Sequence, residues 1–231
     1  MIKKANFSPL IAGTLGAMAA LAGAPAAAVT FTTAAGATSG AYAVAGQATF
    51  TVLAGAVDVQ LTNFFAQDLV SVAQNLSGIS FDVAGLTGSG GTVSYLAGSH
   101  VALTSAVTTA AAGTPVWNLA HTPANHLYLS VFGSGQPKNA LLSYSDVSVG
   151  GDYSSANASV RGATHNPYYL GSVAFRIAGL QGVDEGAAIS NVVFRYNTDA
   201  TPVVSVPEPT TYALMLGGLA AVGFMARRRM A

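Results

Sequence analysis

The chain has 231 residues, no cysteine, and nine basic side chains against nine acidic ones. The missing cysteines exclude a disulfide framework, and the even balance excludes the basic surface that nucleic acid demands. Only 8% of the residues are charged, against about 25% in ordinary globular proteins, and Ala, Gly, Ser and Thr take their place.

The N-terminus reads as an export address. Lys3 and Lys4 precede an apolar stretch over residues 10–24, and Ala26-Ala27-Ala28 offers a small-x-small cleavage site before Val29. That layout predicts a secretory signal peptide over residues 1–28. Between Val29 and Val206, Lys138, Arg161, Arg176 and Arg195 face seven aspartates and Glu185. The acidic excess argues against nucleic acid or anionic lipid as a partner.

Residues 29–200 are long enough for one domain with a real core, and their apolar residues recur with period two. Val57, Val59 and Leu61 alternate with Asp58 and Gln60, and Ala54-Gly55 is a tight turn back to a strand over 49–53. Further strands are predicted over 79–83, 93–96 and 101–103, the last two separated by Gly98-Ser99. Leu127, Leu129 and Val131, then Val173, Phe175 and Ile177, then Val192, Phe194 and Tyr196 repeat the pattern. One stretch departs from it: Leu69, Val72, Ala73 and Leu76 have helical spacing, with Asp68 as N-cap and Gly78 beyond the end. The expected fold is therefore all-β, an antiparallel β-sandwich or jelly roll with one short helix over 68–77. Residues 201–209, with Pro202, Pro207 and Pro209, read as a linker.

The tail is a second address. Pro207-Glu208-Pro209 is stiff and poor in backbone donors, residues 212–226 are an unbroken apolar run, and Arg227, Arg228 and Arg229 follow. At ~1.5 Å per residue the run covers roughly 22 Å, short of a ~30 Å hydrocarbon core. Arginine snorkelling and Tyr212 at the opposite interface make up the difference, and the arginines favour a cytoplasmic C-terminus. Residues 210–231 thus read as a single transmembrane segment. Ala213, Gly217 and Ala221 give it one smooth face.

Motif, apolar run and basic stop, in that order, resemble the PEP-CTERM sorting signal of Gram-negative, exopolysaccharide-producing bacteria. The resemblance implies that a membrane-embedded exosortase recognises Pro207, Glu208, Pro209 and the arginine cluster and cuts near them. It implies transient residence in the inner membrane, then release to the cell surface or extracellular matrix. Residues 59–63 and 71–81 also look like a recurring N-terminal half of exported PEP-CTERM proteins, a likeness that carries no activity.

The remaining chemistry is sparse. His121 and His126 lie five apart around Pro123, and His100 and His165 are distant, so no zinc spacing is present. No Gly-x-Ser-x-Gly elbow occurs, and Glu185 is the one glutamate before the tail, which leaves a paired-carboxylate glycosidase without its second glutamate. Gly150-Gly151-Asp152 and Asp184-Glu185-Gly186 offer oxygens to calcium but form no EF-hand loop. Asn75 and Asn157 fit the glycosylation pattern. Trp117, Tyr168 and Tyr169 lie near polar loops and are candidates for stacking on a glycan, or else for anchoring the core. No metal, cofactor or enzymatic activity is expected. The leading reading is a structural surface or matrix protein among exopolysaccharide; the alternative is a lectin-like module, with an exported hydrolase behind both.

Overall fold

The computed structural model describes residues 27–67, 69–103, 107–109, 117–121, 125–133, 137–143, 153 and 155–207. The predicted transmembrane segment, most of the signal peptide, Asp68 and Gly150-Gly151-Asp152 lie outside these residues. Among the described residues no helix is long and apolar enough to cross a membrane.

The described residues form fourteen strands in chain order: β1 (Ala28–Thr33), β2 (Thr38–Ser39), β3 (Tyr42–Ala43), β4 (Gly46–Leu53), β5 (Ala56–Asn63), β6 (Leu76–Val83), β7 (Thr92–Leu103), β8 (Val107–Thr109), β9 (Asn118–His121), β10 (His126–Ser130), β11 (Leu141–Leu142), β12 (Tyr168–Ala178), β13 (Ile189–Tyr196) and β14 (Thr201–Pro207). The β4–β5 hairpin forms as its alternation predicts. Leu53 faces Ala56, and Gly55 closes the turn at φ +69°, a value that glycine alone adopts without strain. Val57, Val59 and Leu61 are fully buried on one face.

The all-β expectation holds; β2 and β3 pair in a small sheet of their own, and the long strands do not divide into two facing sheets. Eight of the described strands form one hydrogen-bonded wall in the order β1-β4-β5-β12-β11-β6-β13-β14 and back to β1, a closed eight-strand barrel. β11 makes the closure: Leu141 faces Leu76 of β6, while Leu141 and Leu142 run parallel to Tyr169 and Leu170 of β12. β7–β8 continue outward from β12 and β10–β9 from β6. Asn63, at the end of β5, fixes the closure from inside. Its buried amide donates to the carbonyls of Leu141 and Gln74, both at 3.0 Å.

Two cores result. The barrel interior holds Phe50, Val59, Phe81, Leu129, Leu141, Phe175, Phe194 and Tyr196 among others. A second cluster under the connecting segments joins Leu69, Val101, Leu103, Leu142, Val160, Tyr168 and Leu170. Alternation along β11 and β12 sends Leu141 and Tyr169 to the first and Leu142, Tyr168 and Leu170 to the second.

Three expectations are corrected. The helix over 68–77 is one 3-10 turn, Val72–Gln74, capped by Ser71 with Gln74 reaching back in a capping box. Asn75 is already extended and Leu76 starts β6, because Leu69 serves the outer core while Leu76 serves the barrel. Gly98 does not end a strand: β7 runs through it with a bulge against β12, where a Cβ would lie 3.1 Å from the Tyr169 ring. The third correction is the linker, since Thr201–Pro207 is a barrel strand.

Candidate functional site at the rim where the tail leaves the barrel

β13 leads into a turn in which Asn197 and Ala200 take positive φ, and Asp199 Oδ1 accepts from the Thr201 amide and hydroxyl. The turn folds Thr201–Pro207 back antiparallel to β13. Val193 to Tyr196 pair with Val204 to Thr201; beyond Val204 the strand changes neighbour, and Ser205, Val206 and Pro207 pair with Thr33, Thr32 and Phe31. Ser205 Oγ donates to the Val192 carbonyl at 2.7 Å and spans the change. Val203 points into the barrel, whereas Val204 and Val206 point outward and are 71% and 44% exposed.

The change of neighbour leaves an apolar cleft of about 470 Å³ at this rim, lined by Val29, Phe31, Ile189, Val192, Val204 and Pro207. Its β13 side is shaped by a bulge at which Asn191 takes φ +50°. From there the Asn191 amide donates to Asp82 Oδ2 at 2.6 Å, and Asp82 Oδ1 lies 2.6 Å from His126 Nδ1. Asp82 therefore ties β6 to β13 on one side and to β10 on the other. Of the predicted sorting residues, Pro207 is the last residue of β14; Glu208, Pro209, Arg227, Arg228 and Arg229 lie outside the described residues.

The three glycan-stacking candidates do not meet that expectation, because each ring is used inside the protein. Trp117 is 5% exposed, lies 4.9 Å from the Phe175 ring, and donates from Nε1 to the Asn139 carbonyl. Tyr168 is fully buried and donates to the Val160 carbonyl. Tyr169 is fully buried and stacks on His100 at 4.2 Å. Burial holds both phenols protonated, well above the ordinary tyrosine range, and at Tyr169 the neighbouring Tyr95 adds to the effect. Buried rings cannot stack on a sugar.

The other candidates are also placed. Asp184-Glu185-Gly186 is an exposed turn, closed by the Ala187 amide on the Asp184 carbonyl. Among the described residues no three His, Asp or Glu side chains gather into a cation site. Asn75 is fully buried, and Asn157 caps the one-turn helix Ala158–Arg161. What sequence reasoning missed is the rim itself. Its one available signal was the alternation of Pro202, Val204 and Val206 with Val203 and Ser205, hidden among prolines.

No curated protein and no solved structure matches the chain. Residues 205–229 match the family model of the PEP-CTERM protein-sorting motif, which begins at Ser205, inside β14. With the motif continuing from the barrel wall at this rim, the chain is a PEP-CTERM domain-containing protein.

Proposed function

We propose that this is a non-enzymatic structural protein of the cell surface or extracellular matrix, embedded among exopolysaccharide. The observation that carries the reading is the sorting motif over 205–229, which marks an exported protein processed by an exosortase. Residues 1–28 act as a cleaved signal peptide, and the first described strand starts at Ala28, beside that cut. Residues 210–231 hold the exported chain in the inner membrane of a Gram-negative cell, arginines inside, until the exosortase acts. A charge-poor, hydroxyl-rich barrel then remains at the surface. Its closed wall has few free strand edges, which suits a protein that must stay soluble at high local density.

Cell fractionation with and without the exosortase gene tests the reading. The barrel should move from the inner-membrane fraction to the surface or matrix fraction only when the enzyme is present. Loss of the chain should weaken the matrix without removing polymer-degrading activity. A barrel that stays in the membrane fraction of enzyme-positive cells, or that degrades polysaccharide, overturns it.

A further inference from the structure

Alternation along β6, β10 and β13 turns Phe81, Leu129 and Phe194 into the barrel and sends their neighbours Ser80, Asp82, Tyr128 and Arg195 to its outer wall. There His126 faces Asp82 across the β10–β6 pair, and Tyr128 faces Ser80. From β13, Asn191 reaches Asp82 and Arg195 reaches Ser80. The outer face thus carries two polar rungs, two residues or roughly 7 Å apart along β6. In the first rung the Asp82 and His126 side chains are 20% and 24% exposed. The carboxylate faces Nδ1 of the ring, which therefore carries the proton and leaves Nε2 as an acceptor. Asp82 keeps spare lone pairs beside its two bonds.

The second rung holds an unpaired cation. The Arg195 guanidinium lies 5.7 Å from the centre of the Tyr128 ring, and one terminal nitrogen donates to the Ser80 hydroxyl at 3.3 Å. Its Nε is covered and has no hydrogen-bond partner. Among the described residues no carboxylate lies within ion-pair distance of Arg195, whereas Arg176 is gripped by both oxygens of Asp58 at 2.6 and 2.7 Å. A partly covered guanidinium has given up hydration that an anion restores.

From this arrangement we infer that the outer face of β10, β6 and β13 binds a carboxylate-bearing sugar. The carboxylate pairs with Arg195, and hydroxyls of the same ring bond Asp82 and His126 one rung away. The domain has an acidic excess overall, so the attraction is local to Arg195 rather than spread over the surface. The inference rests on the matrix reading above for the source of the sugar, an acidic polysaccharide, and on the wall itself for the site.

The test is calorimetric titration of the full chain, held in neutral detergent, with polygalacturonate. Binding is expected, and it should weaken roughly 10–100-fold when the polymer is fully methyl-esterified, the contribution of one hydrogen bond to a charged group. Arg195→Gln should cause the same loss at an unchanged melting temperature, and Arg176→Gln should cause none. Should Arg195→Gln fail to fold, the comparison of acid with ester on the native chain decides. Equal affinity for the ester, or equal losses in the two arginine variants, overturns the carboxylate contact. Equal affinity for polyglutamate overturns sugar recognition. No binding, with the domain still delivered to the matrix fraction, overturns the inference and leaves the proposed function standing. Binding by a chain that never leaves the membrane fraction keeps the site and overturns the matrix reading.

Discussion

Phe31 and Pro207 face each other across the antiparallel β1–β14 pair, so the chain enters and leaves the barrel at the same rim. β1 runs away from that rim and β14 runs toward it. Ala28 lies three residues upstream of Phe31, which places the predicted signal-peptide cut and the sorting motif side by side. Under the sorting reading, both flanking segments are held at one membrane face while the domain folds, and neither must cross the barrel. The cleft between β1 and β13, lined by Val29, Ile189 and Pro207 among others, opens at the same rim.

Trp117→Ala should destabilise the domain by about 3–5 kcal/mol, the usual cost of emptying a large aromatic site in a core. The motive is its burial against Phe175 and its bond to the Asn139 carbonyl. Urea unfolding of the variant measures the loss. A variant of unchanged stability that no longer binds exopolysaccharide would return the indole to the glycan-binding role.

Asn63→Ala should cost about 2–6 kcal/mol, since it strips donors from two carbonyls at roughly 1–3 kcal/mol each. Those carbonyls belong to Gln74 and to Leu141, the residue through which β11 closes the barrel. The loss should be accompanied by faster amide exchange at Leu141 and Leu142. If stability falls while β11 stays protected, Asn63 supports the wall without holding its closure.

His100 gives the domain a defined acid sensitivity. Burial beside the Tyr169 ring lowers its pKa below the ordinary histidine value near 6.5. The unfolded chain therefore binds the proton first, and stability falls as pH drops below about 6.5, the loss being complete below the lowered folded-state value. Thermal unfolding across pH 7 to 5 should show a steeper decline for the native chain than for His100→Phe. Equal slopes would place the acid sensitivity elsewhere.

Much of the barrel was legible where one short-range signal decided the outcome. Val57, Val59 and Leu61 against Asp58 and Gln60 could form only one kind of strand, and Gly55 fixed the turn before it. What stayed hidden depends on partners distant in sequence. β11 is two residues long, too short for any period, and exists because β6 and β12 leave a gap that Leu141 and Leu142 fill. Trp117 and Tyr169 sit in polar surroundings in the sequence but are covered by Phe175 and His100 in space. The helical spacing of Leu69, Val72, Ala73 and Leu76 arose because the segment crosses from one core to the other. β14 was obscured by its prolines, which occupy the second and last positions, where a strand tolerates a missing donor. The sorting motif needed no fold to be seen, as its order of residues is local.

The last prediction concerns the tail. Glu208 is the one charged group between the barrel wall and the apolar run, and it follows directly on the last residue of β14. Glu208→Gln keeps the shape of the side chain and removes its charge, so it should lower the fraction of cut chain while leaving the barrel's melting temperature unchanged. Replacing Arg227, Arg228 and Arg229 with Gln acts on a different step. Central arginine costs about 2.5–3.5 kcal/mol within a bilayer, so under the proposed topology three of them should resist passage and halt export. Without them the tail should slip through, and uncut chain ending at Ala231 should appear outside the cell. The two variants thus separate recognition from retention in one experiment, by immunoblot of membrane and external fractions. If the Glu208 variant is cut like the native chain, recognition rests on the prolines. If the arginine variant stays in the membrane, the apolar run is sufficient to stop transfer.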